Sequence, residues 1–174
     1  GVLALLALAL ARPVVRGTVG VGGQASRVVV IDDSMSMGAR GPGGTALERS
    51  VLFARGLLAR SSAADRTAIL PLHGEPTPLT ESRKDCEEAL AAIRPTFEGS
   101  PILPAIERAV GILAEERSSS REILVLSDFQ ASALADVEGP LAAWTSKGAG
   151  MTLVLLQPAV SGGANAAVAG AEVA

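Results

Sequence analysis

The sequence predicts an α/β fold, namely a Rossmann-like three-layer domain with a mostly parallel central sheet and helices on both faces. Two observations lead to this prediction. Short runs of aliphatic residues alternate along the chain with segments whose apolar residues recur at helical spacing. The aliphatic runs are also apolar at consecutive positions, which is typical of strands buried on both faces of a parallel sheet. The length of 174 residues suffices for one such domain with short flanking segments.

In the first half of the chain, strands are predicted where apolar residues are consecutive and a helix where they are periodic. Residues 27–32 form the first apolar run and predict a strand. Thr45 or a neighbour then opens a helix whose apolar residues share one face. Residues 66–72 predict a second strand, but Pro71 lacks a backbone donor, so this strand should lie near a sheet edge or bend there. Residues 77–80 predict a very short edge strand.

In the second half, the same two patterns predict three helices and two strands. Apolar residues at helical spacing predict helices over residues 81–93, 101–115 and 134–146. Consecutive aliphatic residues predict buried strands over residues 122–127 and 151–156. Ligands of such sheets bind in the loops beyond the carboxyl ends of the strands, so these loops are where a functional site is expected.

Composition excludes several classes of function. The net charge is −3, with 15 basic and 18 acidic residues, and only 2% of the residues are aromatic. Nucleic-acid binding is therefore not expected, because a basic stripe and aromatic stacking platforms are both lacking. The single cysteine, Cys86, excludes an internal disulfide, and its place on an apolar helical face predicts a buried small hydrophobe. The single histidine, His73, is expected to have a structural or surface role in a strand-end loop.

The first residues predict a membrane attachment. Residues 2–11 are all apolar, and Arg12 and Pro13 then end the run abruptly. A membrane-spanning helix needs about 20 apolar residues, so residues 1–12 are interpreted as the end of a truncated transmembrane helix. A signal peptide and a buried soluble helix are the alternatives. Residues 13–26 are rich in glycine and predict a linker to the domain.

Oxygen-bearing side chains follow the predicted strands. Asp32, Ser34 and Ser36 alternate directly after the first strand, and Asp128 follows the strand at residues 122–127. Ser100 precedes the helix at residues 101–115 and contributes one more hydroxyl. Two carboxylates and three hydroxyls form an all-oxygen set that suits a hard cation such as Mg²⁺. Nothing in this set is an evident nucleophile or general base, so catalysis is not expected.

The spacing Asp32-x-Ser34-x-Ser36 resembles the metal-ion-dependent adhesion site of von Willebrand factor A domains. In that family a threonine from a second loop and an aspartate from a third complete the site. The resemblance assigns these positions to Ser100 and Asp128, with Thr96 as the alternative to Ser100. The glycine that usually follows the third-loop aspartate is Phe129 here. The resemblance extends over roughly residues 27–157, and the domain is predicted to span residues 27–158.

The resemblance implies a function as well as a fold. Such a domain would bind a partner protein through Mg²⁺, with an Asp or Glu of the partner taking an open position on the ion. More narrowly, residues 31–37 and 126–130 resemble bacterial Bat-type aerotolerance proteins, which are membrane proteins. That resemblance implies the bacterial inner membrane, a domain on its non-cytoplasmic side, and other membrane-complex subunits as partners. Residues 159–174 are predicted to be a linker and the start of a following β domain.

Other readings of the same residues remain open. Ser100 and Asp128 are both suited to capping a helix, and Asp33 is expected to face solvent or the backbone without a ligand role. A structural, membrane-anchored domain with a degenerate, metal-free site is therefore the main alternative. A phosphoacceptor receiver domain is less favoured, because residues 75–80 contain no aspartate at the strand end where that class needs one. The glycine cluster at residues 41–44 lacks the lysine of a P-loop and predicts a flexible loop.

Overall fold

The computed structural model describes residues 24–41, 43–98, 102–129, 150–158 and 168–172 of the chain. Its strands are β1 (Ala25–Ile31), β2 (Arg40–Gly41), β3 (Gly44–Thr45), β4 (Arg66–Pro71), β5 (Ser120–Leu126), β6 (Thr152–Leu156) and β7 (Val168–Glu172). Its helices are α1 (Ala46–Arg60), α2 (Arg83–Ala92) and α3 (Ile102–Ala114), with a short 3₁₀ helix at Met35–Gly38. The predicted strands and helices in the described ranges are confirmed to within a few residues, except residues 77–80, which contribute a single bridge at Thr80.

A five-stranded sheet, in the order β4-β1-β5-β6-β7, organises the described residues. β1 pairs in parallel with β4 and β5, and β5 pairs in parallel with β6, whereas β7 is antiparallel to β6. The predicted α/β class with a mostly parallel sheet is thereby confirmed. The carboxyl ends of β1, β5 and β6 lie along one edge, with Ile31 beside Leu126 and Leu126 beside Leu156.

Helices cover both faces of this sheet. Val28 and Val30 of β1 belong to a core shared with α3, whereas Val29 and Ile31 belong to a core shared with α1 and α2. All four side chains are fully buried. The two cores explain why β1 is apolar at consecutive positions, since each side of the strand contacts a different helical layer.

A hairpin and a capping box lead into α1. The Thr45 hydroxyl accepts a hydrogen bond from the Glu48 amide at 3.0 Å, and the Glu48 carboxylate accepts one from the Thr45 amide at 2.7 Å. Before it, β2 and β3 pair as a short hairpin in which Gly43 and Gly44 have φ angles of 86° and 99°. The prediction of a flexible loop was wrong for this segment, because its glycines adopt the left-handed angles that tight hairpins need.

The outer strand of the sheet is β4, as expected from Pro71. Thr67 exchanges two backbone hydrogen bonds with Thr80, at 2.8 and 3.1 Å. Ile69 accepts a hydrogen bond from the Thr77 amide at 2.9 Å and donates one to the Thr77 hydroxyl at 2.9 Å. The segment at residues 77–80 therefore lies along the outside of β4.

A buried ionic cluster joins three strands at the amino end of the sheet. Arg27 of β1 is 2% exposed, and its Nε lies 3.2 Å from a carboxylate oxygen of Glu122 in β5. Its Nη1 lies 3.4 Å from Asp65, just before β4, and 2.6 Å from the Ser61 hydroxyl. One guanidinium group thus connects β1 to both of its neighbours.

Several predictions concern residues outside the described ranges, namely the membrane helix at 1–12, the helix at 134–146 and most of the two linkers. Ala25 and Ser26, predicted as linker, instead belong to β1 and are buried. The strand Val168–Glu172 pairs with β6 and so extends this sheet, while a following β domain stays a prediction. Among the described helices, none has both the length and the apolar character needed to cross a bilayer.

Candidate functional site

The loop after β1 brings two serine hydroxyls together at the carboxyl edge of the sheet. The Ser34 and Ser36 Oγ atoms are 3.1 Å apart, and both residues are partly exposed. The Met37 amide donates to the Ser34 carbonyl at 3.0 Å, which closes the 3₁₀ turn, and the Met37 side chain is fully buried. Because Met37 is fixed in the core, the turn holds the two hydroxyls on its outer side.

Asp32 is buried behind these hydroxyls and organises the loop. Its backbone amide continues the ladder to the Leu126 carbonyl at 2.9 Å. One carboxylate oxygen accepts the Ser34 amide at 2.9 Å, and the other accepts the Ser127 hydroxyl at 2.5 Å. Ser127 is a site residue that sequence reasoning missed. Its signal was present, since it is a hydroxyl directly between a buried strand and Asp128.

Asp128 follows Ser127 at the same edge and is partly exposed. Its backbone carbonyl accepts a hydrogen bond from the Gln157 side chain at 3.3 Å. The next residue, Phe129, has a φ angle of 49°, and its amide donates to the Ser127 hydroxyl at 3.0 Å. The left-handed backbone conformation that a glycine would favour is therefore present at Phe129, although the residue carries a side chain.

The second predicted loop is described only in part. Ser100 lies outside the described residues, so its role as a metal ligand stays a prediction. Its alternative, Thr96, is described. The Thr96 amide and hydroxyl both donate to the Asp33 backbone carbonyl, at 2.7 and 3.2 Å. Thr96 thus contacts the backbone of the first loop through both its amide and its hydroxyl.

Asp33, predicted to face solvent or the backbone, is buried and contacts both the backbone and the side chain of His73. It is 4% exposed, and its carboxylate oxygen lies 2.6 Å from Nδ1 of His73. The same oxygen accepts the His73 backbone amide at 3.3 Å. The contact with a backbone amide agrees with the prediction, whereas the contact with the His73 side chain was not predicted, because it joins residues 40 positions apart in the sequence, which no local pattern reveals. His73 has a buried structural role, one of the two roles predicted for it.

The Ser34 and Ser36 hydroxyls form a hydrogen bond with each other, and their separation is also compatible with neighbouring ligands of a magnesium ion. Two ligands at neighbouring corners of an octahedron of radius about 2.1 Å are about 3.0 Å apart. The 3.1 Å between the Ser34 and Ser36 oxygens matches this separation. The described residues contain no group of three or more His, Cys, Asp or Glu side chains placed to hold a metal. A site of this kind would therefore depend on hydroxyl ligands together with Asp32 and Asp128.

Cys86 is buried, as predicted, and lies away from this edge. It is 1% exposed, and its sulfur contacts the Thr67 carbonyl at 3.6 Å. Burial, and secondarily the charges of Asp85 and Glu87, raise the pKa of the thiol. A cavity of about 350 Å³ near Cys86 and Asp65 lies toward the amino end of β4, at the other end of the sheet from the hydroxyl pair.

Comparisons with known proteins agree with the fold. The sequence profile of the von Willebrand factor type A domain matches residues 27–130. None of the curated proteins compared with the chain matches it significantly. Among solved structures, the vWF domain of the type V pili tip protein Mfa5 from Porphyromonas gingivalis has a TM-score of 0.51 and 21% identity, over 63% of this chain and 39% of that one.

A second solved structure, proximal thread matrix protein 1 from the mussel byssus, has a TM-score of 0.59 and 16% identity, over 78% of this chain and 36% of that one. The three N-terminal domains of Mfa5 give a TM-score of 0.53 and 20% identity, over 61% of this chain and 20% of that one. The chain thus spans well under half the length of these proteins. At these identities the likeness concerns the fold.

Proposed function

Because the chain belongs to the von Willebrand factor type A domain family, we propose that it binds a partner protein through Mg²⁺ held at the carboxyl edge of its sheet. Domains of this family commonly mediate protein–protein interactions. The proposed ligands are Asp32, Ser34, Ser36, Ser100 and Asp128. The observation that carries the proposal is the pair of partly exposed hydroxyls, 3.1 Å apart, above a buried carboxylate.

The charges of this set support binding rather than catalysis. Three of the proposed ligands are neutral hydroxyls, and Asp32 and Asp128 would bind directly or through water. With few charged groups bound directly, the ion would keep much of its positive charge and would bind a carboxylate of the partner at an open position. His73, the single histidine of the sequence, has a side chain that is 6% exposed, and its Nδ1 contacts Asp33. An imidazole held in this way is not presented to a substrate, which supports a non-enzymatic role.

Two exposed apolar side chains supply further contact area near the hydroxyls. Met35 lies between Ser34 and Ser36 and is 62% exposed, and Phe97 is 88% exposed. Their loops are joined by the hydrogen bonds from Thr96 to Asp33. An acidic residue of a partner, flanked by apolar residues, would complement this surface.

A second candidate function is a structural domain whose site holds no metal. It is favoured by one observation, namely that both carboxylate oxygens of Asp32 already accept hydrogen bonds, from Ser34 and Ser127. In this case the same residues would serve only to close the loop against β5.

Magnesium titration of the full chain separates the two candidates. A protein that binds the ion gains about 2.7 kcal/mol when Mg²⁺ is present at 100 times its dissociation constant, and its melting temperature rises accordingly. The variant Ser34→Ala/Ser36→Ala should lose this rise, because it removes two ligands from partly exposed positions. Ser119→Ala, which removes an exposed hydroxyl bonded to Gln24 near the start of β5, should keep it. Equal melting temperatures of the unaltered chain in magnesium and in chelator would favour the structural domain.

We also propose that the domain is anchored in the bacterial inner membrane and lies on its non-cytoplasmic side. The apolar run at residues 2–11, ended by Arg12 and Pro13, supports the membrane anchor. The non-cytoplasmic side rests on the resemblance to Bat-type membrane proteins, whereas Arg12 and Arg16 after the run favour the cytoplasm under the positive-inside rule. Other subunits of a membrane complex would then be the partners. Protease added to intact spheroplasts should digest the domain, whereas a cytoplasmic domain would be protected until the membrane is opened.

A further inference from the structure

His73 has hydrogen-bonding contacts whose chemistry fixes its state. Its Nδ1 lies 2.6 Å from an Asp33 carboxylate oxygen and 3.0 Å from the Thr96 hydroxyl. Because a carboxylate only accepts, Nδ1 carries a proton and donates it to Asp33. The other ring nitrogen, Nε2, is buried and has no hydrogen-bond partner among the described residues. Nδ1 of the ring therefore forms hydrogen bonds, whereas Nε2 is a buried polar atom without a partner among the described residues. An apolar side chain of similar size would not bury such an atom.

The contact fixes the peptide between two proposed ligands. Asp33 stands between Asp32 and Ser34, and its carboxylate is bound by the side chain and the backbone amide of His73. Its backbone carbonyl is bound by the amide and hydroxyl of Thr96. Both polar ends of Asp33 are thus restrained, so the peptide planes on either side of it cannot rotate freely.

The His73 loop is itself attached to a rigid element. Arg108 of α3 donates to the carbonyls of Leu72 and Gly74, on either side of His73, at 2.8 and 2.9 Å. The backbone on either side of His73 is therefore held by a helix that packs in the core. A chain of contacts leads from that helix through His73 to the loop that carries the hydroxyl pair.

Thr96 connects His73 and Asp33 to the loop between α2 and α3. Thr96 precedes the proposed ligand Ser100 in the same connection between α2 and α3, and it is bound to both Asp33 and His73. One residue before it, Pro95 packs against the end of the 3₁₀ helix, where a Cβ added at Gly38 would lie 3.4 Å from the proline ring. The two loops are therefore in contact on more than one side.

We infer that His73 is a positioning residue that holds the loop at residues 32–36 in the conformation that brings the two serine hydroxyls together. It acts through Asp33 and Thr96. Its effect on magnesium affinity rests on the function proposed above, whereas its effect on the loop conformation does not. If His73 acts in this way, the loop needs the hydrogen-bond donor at Nδ1 and not only the bulk of the ring. Substitutions that keep one of these properties and remove the other can distinguish them.

Hydrogen exchange without metal tests the loop conformation. His73→Leu keeps the bulk and removes the donor, and His73→Asn places an amide donor near the position of Nδ1. We expect exchange of the Met37 and Ala39 amides, which are bonded within the loop, to rise about tenfold or more in the leucine variant. In the asparagine variant, the exchange rates of these two amides should stay near those of the unaltered chain. The Glu116 amide, bonded to Leu113 away from the loop, serves as the internal reference.

Three results of this experiment would overturn the inference. One is unchanged exchange of Met37 and Ala39 in His73→Leu. Another is an equal rise at Glu116, which would indicate a global loss of stability. The third is identical behaviour of the leucine and asparagine variants, since the donor would then be irrelevant.

Magnesium titration of the same variants tests the second half of the inference. Loss of a residue that orients metal ligands typically lowers affinity about 10- to 100-fold, so His73→Leu should show such a drop and His73→Asn should not. Unchanged affinity in His73→Leu would overturn this half. If the unaltered chain itself binds no magnesium, the proposed function fails, while the exchange experiment still decides whether His73 positions the loop.

Discussion

The buried cluster around Arg27 leads to a quantitative prediction about stability. Replacing Arg27 by methionine keeps much of the apolar stem and removes the guanidinium group. Glu122 and Asp65 then remain buried, with side chains only 5% and 7% exposed, without their shared cation. Breaking a buried ion pair in this way costs about 3–5 kcal/mol. Since domains of this kind are stable by about 5–15 kcal/mol, the variant should be marginally folded.

The structure also predicts how a second substitution would act. Two carboxylates that each contact one guanidinium are roughly 6 Å apart, where their repulsion at an effective dielectric constant of about 20 is on the order of 3 kcal/mol. Glu122→Gln removes one of the charges and keeps the side-chain shape. We therefore expect Arg27→Met/Glu122→Gln to be more stable than Arg27→Met alone, by about 1–3 kcal/mol.

Urea unfolding followed by circular dichroism measures these differences, with both single variants and the double variant completing the cycle. The reasoning would be refuted by a loss of less than about 1 kcal/mol in Arg27→Met, because a desolvated pair of carboxylates cannot be so well tolerated. It would also be refuted if the double variant were the least stable of the set, since the two charges would then not repel each other.

Two further predictions concern Phe129 and Cys86. Phe129→Gly and Phe129→Ala both remove the ring, but glycine adopts the φ angle of 49° more readily than alanine. The glycine variant should therefore be more stable than the alanine variant by about 1 kcal/mol in urea unfolding. An equally stable alanine variant would contradict this backbone conformation. Burial raises the pKa of the Cys86 thiol, so the folded chain keeps a proton that the unfolded chain loses. The contribution of the thiol to the free energy of unfolding should therefore be fully present below about pH 9 and be lost as the pH rises further. Above about pH 9 the free energy of unfolding should fall less steeply with pH in Cys86→Ala than in the unaltered chain. Equal pH dependence of the two proteins would argue against a buried thiol.

The fold was largely predictable from local patterns. Consecutive valines at residues 28–30 indicated a strand buried on both faces, and Thr45 with Glu48 marked the start of a helix. Pro71 placed its strand at the edge of the sheet. These features depend on backbone chemistry and on burial within one element, and both are visible in a single stretch of sequence.

The site was predictable in its local part and, because parallel strands end at one edge of a sheet, in the position of Asp128 at the same edge. Asp32, Ser34 and Ser36 share one loop, and the structure brings them together. Ser127 and His73 were not identified, because their bonds join residues 95 and 40 positions apart. Contacts of that kind are decided by the register of neighbouring strands and by the course of the loops, which the sequence pattern does not reveal.

The strip of chain along the outside of β4 has a consequence for self-association. An uncovered edge strand offers a row of amides and carbonyls to which a strand of another molecule can add. Here the outward groups of Thr67 and Ile69 are occupied by residues 77–80, and Pro71 has no amide to offer. A strand of a second copy could pair with β4 only after the hydrogen bonds between β4 and residues 77–80 were broken. The β4 edge is thus protected against the edge-to-edge strand pairing that leads to aggregation.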